Sequence, residues 1–114
     1  MKAILIDVLN QDVKEVEFDN NKSLTEIYKL IKCEIIEVAM YINENDDCIY
    51  VDEEGLLEIT PFTRFFSYKN GHQPFAGNGL IIGTNMETGD NADVTVSLDE
   101  VKANIKFLSL NDIL

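Results

Sequence analysis

Two Ser-x-x-Glu segments, Ser23 to Glu26 and Ser97 to Glu100, punctuate a chain that otherwise reads as short β-branched runs separated by turn residues. In such a capping box each side chain satisfies a backbone donor that the first helical turn leaves unpaired. After the first box Leu24, Ile27, Tyr28 and Ile31 recur at helical spacing, which predicts a helix over 24–32. After the second, Val101, Ile105 and Leu108 predict a C-terminal helix. Pro61 suits the first turn of a further short helix over 62–68.

The remaining runs are strand-like. Lys2 to Val8 and Val13 to Phe18, parted by the turn residues 9–12, predict a β-hairpin. In its second strand Val16 and Phe18 share a face with Lys14, and Glu15 and Glu17 take the other. Ile35 to Ile42 is largely apolar, as a central strand tends to be. Cys48 to Val51 and Leu56 to Ile59 complete a three-strand meander around Glu53-Glu54-Gly55, where Gly55 supplies a positive φ. Leu80 to Ile82 and Asn91 to Ser97 predict two more strands. The expectation is one α+β domain over 1–114. It has a mainly antiparallel sheet, built as hairpin, helix, three-strand meander, short helix and strands, and a C-terminal helix.

The 114 residues carry 21 acidic and 9 basic side chains, a formal charge of −12, and 46% are hydrophobic. That content is enough to bury a core, so the acid excess does not signal a disordered tail. Its far field repels phosphate, which argues against DNA, RNA and anionic membrane as direct partners. The N-terminal apolar run is too short for a secretory leader, and the longest apolar stretch, Ile35 to Ile42, contains Glu37. Cys33 and Cys48 are too few and too far apart for a disulfide framework or a zinc pair, and read as buried thiols. A soluble protein of the cytoplasm is expected.

The acid is unevenly spread. From Ile59 to Met86 there is no Asp or Glu, and this window holds the only arginine, Arg64, and the only histidine, His72. Lys69, five aromatics (Phe62, Phe65, Phe66, Tyr68, Phe75) and four glycines lie there too. A guanidinium forks onto phosphate, aromatic faces stack on bases, and glycine lets backbone N–H groups approach a ligand. Arg64, Phe65, Tyr68, Lys69, His72 and Asn78 are therefore the candidate ligand-binding residues. On the alternative reading Phe62, Phe65 and Phe66 plug the end of the core, or the window is a protein–protein surface.

Other constellations carry less. Gly77-x-Gly79-x-x-x-Gly83 precedes a strand rather than opening a helix, so it is neither a dinucleotide loop nor a P-loop. The acidic groups around Asp46-Asp47 and Asp52-Glu53-Glu54 lack the twelve-residue calcium pattern and read as solvated turns. No metal or cofactor is expected. The same carboxylates can instead imitate a phosphate track, making Asp46, Asp47, Asp52, Glu53 and Glu54 candidate contacts to a basic groove. Catalysis has little support. His72 sits beside Asn70 and Gly71, and no serine or cysteine has a nucleophile-elbow context.

The order of several motifs resembles a known family. Cys33-x-x-Ile36-Glu37-Val38 is followed by Tyr50-Val51-Asp52-Glu53-Glu54-Gly55-Leu56-Leu57, a proline-led segment, and Gly79-Leu80-Ile81-Ile82-Gly83. Over residues 2–83 this is similar to the domain-of-unknown-function family three-eight-four-six, which has no established activity. The family usually carries Pro-Asn and small residues where this chain has Pro61-Phe62-Thr63-Arg64-Phe65-Phe66. The resemblance implies a phage or mobile-element setting, where small acidic proteins often antagonise host defence. Three functions follow as expectations, in this order. The first is a non-enzymatic homo-oligomer that sequesters a nucleotide-like defence signal. The second is an acidic inhibitor seated in the basic groove of a host nuclease or other nucleic-acid enzyme. The third is a nucleotide hydrolase.

Overall fold

A computed structural model describes residues 1–19, 23–33, 35–42, 47–57, 59–69, 73–85 and 87–113. The chain runs β1 (Lys2–Asp7), β2 (Asp12–Glu17), α1 (Ser23–Ile31), β3 (Ile36–Tyr41), β4 (Cys48–Asp52), β5 (Arg64–Tyr68) and β6 (Phe75–Ala76). It continues with β7 (Gly79–Thr84), β8 (Asn91–Ala92), α2 (Leu98–Asn104), β9 (Ile105–Ser109) and α3 (Leu110–Ile113). A larger sheet has the order β2-β1-β7-β4-β3, with β8 on the end of β7, and a smaller one the order β6-β5-β9. Every pairing is antiparallel. The architecture is α+β and dominated by sheet, with a few short helices that include one at the C-terminus.

Alternation along the strands builds two cores. Ile4, Ile6, Ile49, Val51 and Ile81 project from one face of the larger sheet against Phe66 and Tyr68 of the smaller sheet and Val101 of α2. Ala3, Leu5, Cys48, Leu80 and Ile82 project from the opposite face against Ile27 and Ile31 of α1. β7 is thus covered on both sides, which is why its Leu80-Ile81-Ile82 run shows no polar alternation. Glycines flank that run for reasons of space. A Cβ on Gly79 would stand 2.5 Å from the Phe66 ring, and one on Gly83 would strike the Asp93 carbonyl.

The hairpin and first helix lie where periodicity predicts, within a residue or two. Several other expectations are corrected. Ile36–Tyr41 is an edge strand, not a central one, and is half open to solvent. Its apolar side chains lie over the margins of both cores rather than within them. The third meander strand is instead a series of turns over 53–57 that leaves Leu56 and Leu57 exposed. Gly55 there does not take a positive φ. Space is what favours glycine, because a Cβ at that position would stand 3.0 Å from the Ala76 carbonyl oxygen.

The segment 62–68 is not helical, because Phe65 to Tyr68 form the middle strand of the smaller sheet and are buried throughout. A run of buried aromatics fits helical and strand templates alike, and cross-strand pairing to β9 decides between them. The C-terminal helix starts as expected: Ser97 caps it by accepting from the Glu100 N–H at 3.1 Å. It ends at Asn104, and Ile105 and Phe107 then point into the core at strand spacing. Of the strand expected over 91–97, only Asn91–Ala92 forms. The Ser23 side chain lies outside the described atoms.

Asp47 ties distant parts of this fold together. Its fully buried carboxylate accepts from the Thr95 N–H (3.0 Å), the Thr95 hydroxyl (2.6 Å) and the Val96 N–H (2.8 Å). Its carbonyl accepts from the Ile42 N–H at 2.9 Å. Truncation strands two backbone donors near the core, so Asp47→Ala should lower stability by about 3 kcal/mol. Urea denaturation reads this as a lower midpoint, and Asp47→Asn should recover part of the loss by restoring one acceptor. An unchanged midpoint in Asp47→Ala would contradict the assignment.

Candidate functional site

The site is made where four connections meet. α1 closes with both the Lys32 and Cys33 N–H groups on the Tyr28 carbonyl, at 2.8 and 3.2 Å, and Lys32 takes a left-handed φ of 64°. This is a helix-terminating turn whose left-handed position is usually glycine. Between β6 and β7, Gly77 has φ 82° and donates to the Arg64 carbonyl at 2.9 Å. Buried Asn78 then bridges two elements: its Oδ1 accepts from the Val8 N–H and its Nδ2 donates to the Leu30 carbonyl, both at 3.1 Å. The hairpin turn, the end of α1, the start of β5 and the β6–β7 loop are thereby fastened around one cleft.

The cleft has a volume of about 250 Å³. Lys32 and Arg64 supply its positive charge, Asp52 and Glu54 its negative charge, and Leu9 and Phe62 its apolar surface. The Phe62 ring is 84% exposed. No atom lies within 4 Å of the position a Gly77 Cβ would take, so that part of the backbone is open. Among the described residues the only salt bridge is Lys29–Glu26; Lys32 acts on Asp7 and Arg64 on Asp112 only at longer range.

Two titrating groups define the surroundings. Burial works to raise the Asp7 carboxyl, but the Asn10 hydrogen bonds and the charges of Lys14 and Lys32 outweigh it and hold it below its ordinary value. Those bonds, 2.8 Å from the Asn10 amide nitrogen and 3.2 Å from its backbone N–H, fix the hairpin turn beside the cleft. Burial, reinforced by the Asp52 charge and only partly offset by the Ile35 N–H, pushes the Cys33 thiol up to about 11. Burial likewise raises Cys48. Both cysteines are free, and neither has the electropositive setting of a nucleophile.

Of the residues singled out in the sequence, the structure brings Arg64 and Asn78 to the cleft. Phe65 and Tyr68 are corrected: they are 2% and 1% exposed, and packing in the smaller sheet leaves neither face free to stack on a ligand. Lys69 lines no part of the cleft; its Nζ stands 5.7 Å from the centre of the Tyr68 ring. His72 and Asp46 lie outside the described residues. Of the other acidic candidates, Asp52 and Glu54 line the cleft and Glu53 is exposed between them. Asp47 is corrected: its carboxylate is buried and bonded to backbone, so it presents no charge to a partner.

Lys32 is a cleft residue that sequence reasoning did not select, and Phe62, a core plug on the alternative reading, is corrected: it is exposed on the cleft. Nothing local to Lys32 signals a left-handed turn, because that signal is ordinarily a glycine or asparagine. Among the described residues no helix is long and apolar enough to cross a membrane, and no group of three His, Cys, Asp or Glu could hold a metal.

A family model described as Domain of unknown function (DUF3846) matches residues 1–106. No curated protein and no solved structure matches the chain significantly.

The raised thiol gives a direct check on the Asp52 wall. An ordinary cysteine titrates near ~8.5, so its alkylation rate levels off about one pH unit above that. Cys33 should instead react slowly at neutral pH, and its rate should keep climbing about tenfold per pH unit toward pH 10. Peptide mapping by mass spectrometry after iodoacetamide pulses separates Cys33 from Cys48. A plateau below about pH 9 at Cys33 would show that the thiol is not shielded as described.

Proposed function

This chain belongs to the DUF3846 family, a domain of unknown function, and on that premise we propose that it is a non-enzymatic binder of a small nucleotide-like anion held in the Lys32–Arg64 cleft. In the phage or mobile-element setting that the resemblance implies, such a homo-oligomeric accessory protein sequesters a host-defence signal. The observation that carries the reading is the pair of cations on one open cleft, neither in a salt bridge among the described residues, beside an exposed aromatic ring. The Lys32 and Arg64 side chains grip a phosphate, Phe62 stacks on the base, and the open backbone at Gly77 admits close approach.

The conformation of Lys32 supports the same reading. A non-glycine residue in the left-handed region costs about 1 kcal/mol, and such strain concentrates where a side chain is needed for another purpose. The carboxylates limit the ligand. Asp52 and Glu54 repel a second phosphate and accept from ribose hydroxyls or an exocyclic amine. A volume below the ~300–1,000 Å³ of most ligand pockets suits one nucleotide unit rather than a long polyphosphate.

Calorimetry against a panel of nucleoside monophosphates, cyclic nucleotides and ADP-ribose-type compounds tests this. Wild-type protein should bind one class, and Arg64→Ala should abolish the heat while leaving the thermal midpoint unchanged. Lys32→Gly should separate function from stability, raising the free energy of unfolding by about 1 kcal/mol while weakening the ligand about tenfold. Ligand recovered after denaturing the complex should be chemically unchanged; a converted nucleotide would make the protein an enzyme. No binding across the panel would remove the proposal.

A further inference from the structure

Beyond the cleft, four of the large hydrophobic side chains that the fold leaves exposed fall within one short segment: Leu56, Leu57, Ile59 and Phe62, with Leu57 at 79% and Phe62 at 84%. They are not on a loose loop. The Glu54 N–H donates to the Asp52 carboxylate at 2.9 Å, and the Leu57 N–H to the Glu54 carbonyl at 3.0 Å. Further along, the Thr60 N–H donates to the Thr63 hydroxyl at 2.9 Å and the Thr63 N–H to the Thr60 carbonyl at 3.1 Å. The turns at 53–57 and 60–63 therefore hold Leu56, Leu57 and Phe62 out in water, although burying each would stabilise the protein by about 2 kcal/mol. Apolar groups presented on an ordered backbone bind with little loss of conformational freedom, which is the condition for an interaction hot spot.

Charge identifies what they meet. From Cys33 to Thr63 the sequence contains no Lys, Arg or His, and Asp52, Glu53 and Glu54 stand immediately before the apolar residues. A second copy of this chain would bring the same acidic stretch to the contact and set carboxylate against carboxylate. An anionic membrane is repelled for the same reason. We propose that Leu56, Leu57, Ile59 and Phe62 form a docking surface for a protein whose apolar pocket is rimmed by Lys and Arg. Leu56 and Leu57 enter the pocket, and Asp52, Glu53 and Glu54 pair with the rim and accelerate encounter. This surface shares Phe62, Asp52 and Glu54 with the cleft but does not depend on a ligand in it.

A helical peptide composed of leucine and lysine serves as the probe, titrated into full-length protein by calorimetry and followed by amide chemical shifts. Wild-type protein should bind it with shifts centred on residues 53–57 and 59–63. Leu56→Ser combined with Leu57→Ser should weaken binding about tenfold without lowering the thermal midpoint, since both side chains are exposed. Glu53→Gln with Glu54→Gln should weaken binding and flatten its salt dependence. Arg64→Ala should bind the peptide as wild type does, which keeps this result separate from that of the nucleotide titration. Equal binding of an all-lysine peptide would overturn the proposal, as would wild-type affinity in the double serine variant. Equal binding of neutral phosphatidylcholine vesicles, abolished by the same serine substitutions, would assign the patch to a lipid surface and overturn it as well.

Discussion

A strand covered on both faces has no side on which to place charge, and that restriction on β7 organises the rest of the molecule. Its Leu80, Ile81 and Ile82 contact α1 on one side and the smaller sheet on the other. The neighbouring strands β1 and β4 follow the same rule wherever they pair with it. Phe66 presses onto Gly79, so the smaller sheet seats on the larger only because that position lacks a side chain. The acid-free window from Ile59 to Met86 is largely the sequence image of this packing. β5 and β7 are the middle strands of their sheets, and a carboxylate in either would be desolvated without a partner. Charge segregation along the chain therefore reports the core first and the candidate cleft only at its margins.

The elements that sequence reasoning located are those whose pattern is set by near neighbours. α1 has one buried face, whose period is visible in a few residues, and β1 and β2 are short β-rich runs delimited by the turn residues between them. β5 and β9 were missed for a common reason: each is fixed by pairing with a partner some forty residues away, and neither has a local feature that excludes helix. Ile105 satisfies helical spacing from Val101 and strand spacing to Phe107, and only the pairing to Tyr68 selects the strand. The site was legible in proportion to its chemistry. Arg64 stands out as the lone arginine, and Asn78 by its glycine neighbours, whereas Lys32 is distinguished solely by a backbone angle.

Asn78 and Asp47 solve the same problem at two ends of the larger sheet. Each takes backbone groups that no sheet or helix satisfies and pairs them through one buried side chain. Asn78 does so with an amide that both donates and accepts, which suits the mixture of the Val8 N–H and the Leu30 carbonyl. The Asp47 carboxylate meets donors from Thr95 and Val96, and a carboxylate is the group that accepts from all of them. The cleft is a consequence of the first arrangement. Fastening the hairpin turn and the end of α1 to the β6–β7 loop leaves the Lys32 and Arg64 side chains on a shared opening, neither in a salt bridge among the described residues.

A charge of −12 around such an opening acts as a filter on the proposed ligand. Beyond a Debye length of about 8 Å the field of the whole protein is screened, so a small monoanion pays little on approach and meets mainly the local cations at contact. A nucleic acid spans many Debye lengths of acidic surface and cannot confine its contact to the cleft. A polyphosphate is intermediate, and the carboxylates of Asp52 and Glu54 act on it at short range, where screening is weakest. The acid excess and the cationic opening thus have complementary consequences. On the proposed reading the opening supplies affinity for one phosphate, and the surrounding acid restricts how much more negative charge can accompany it.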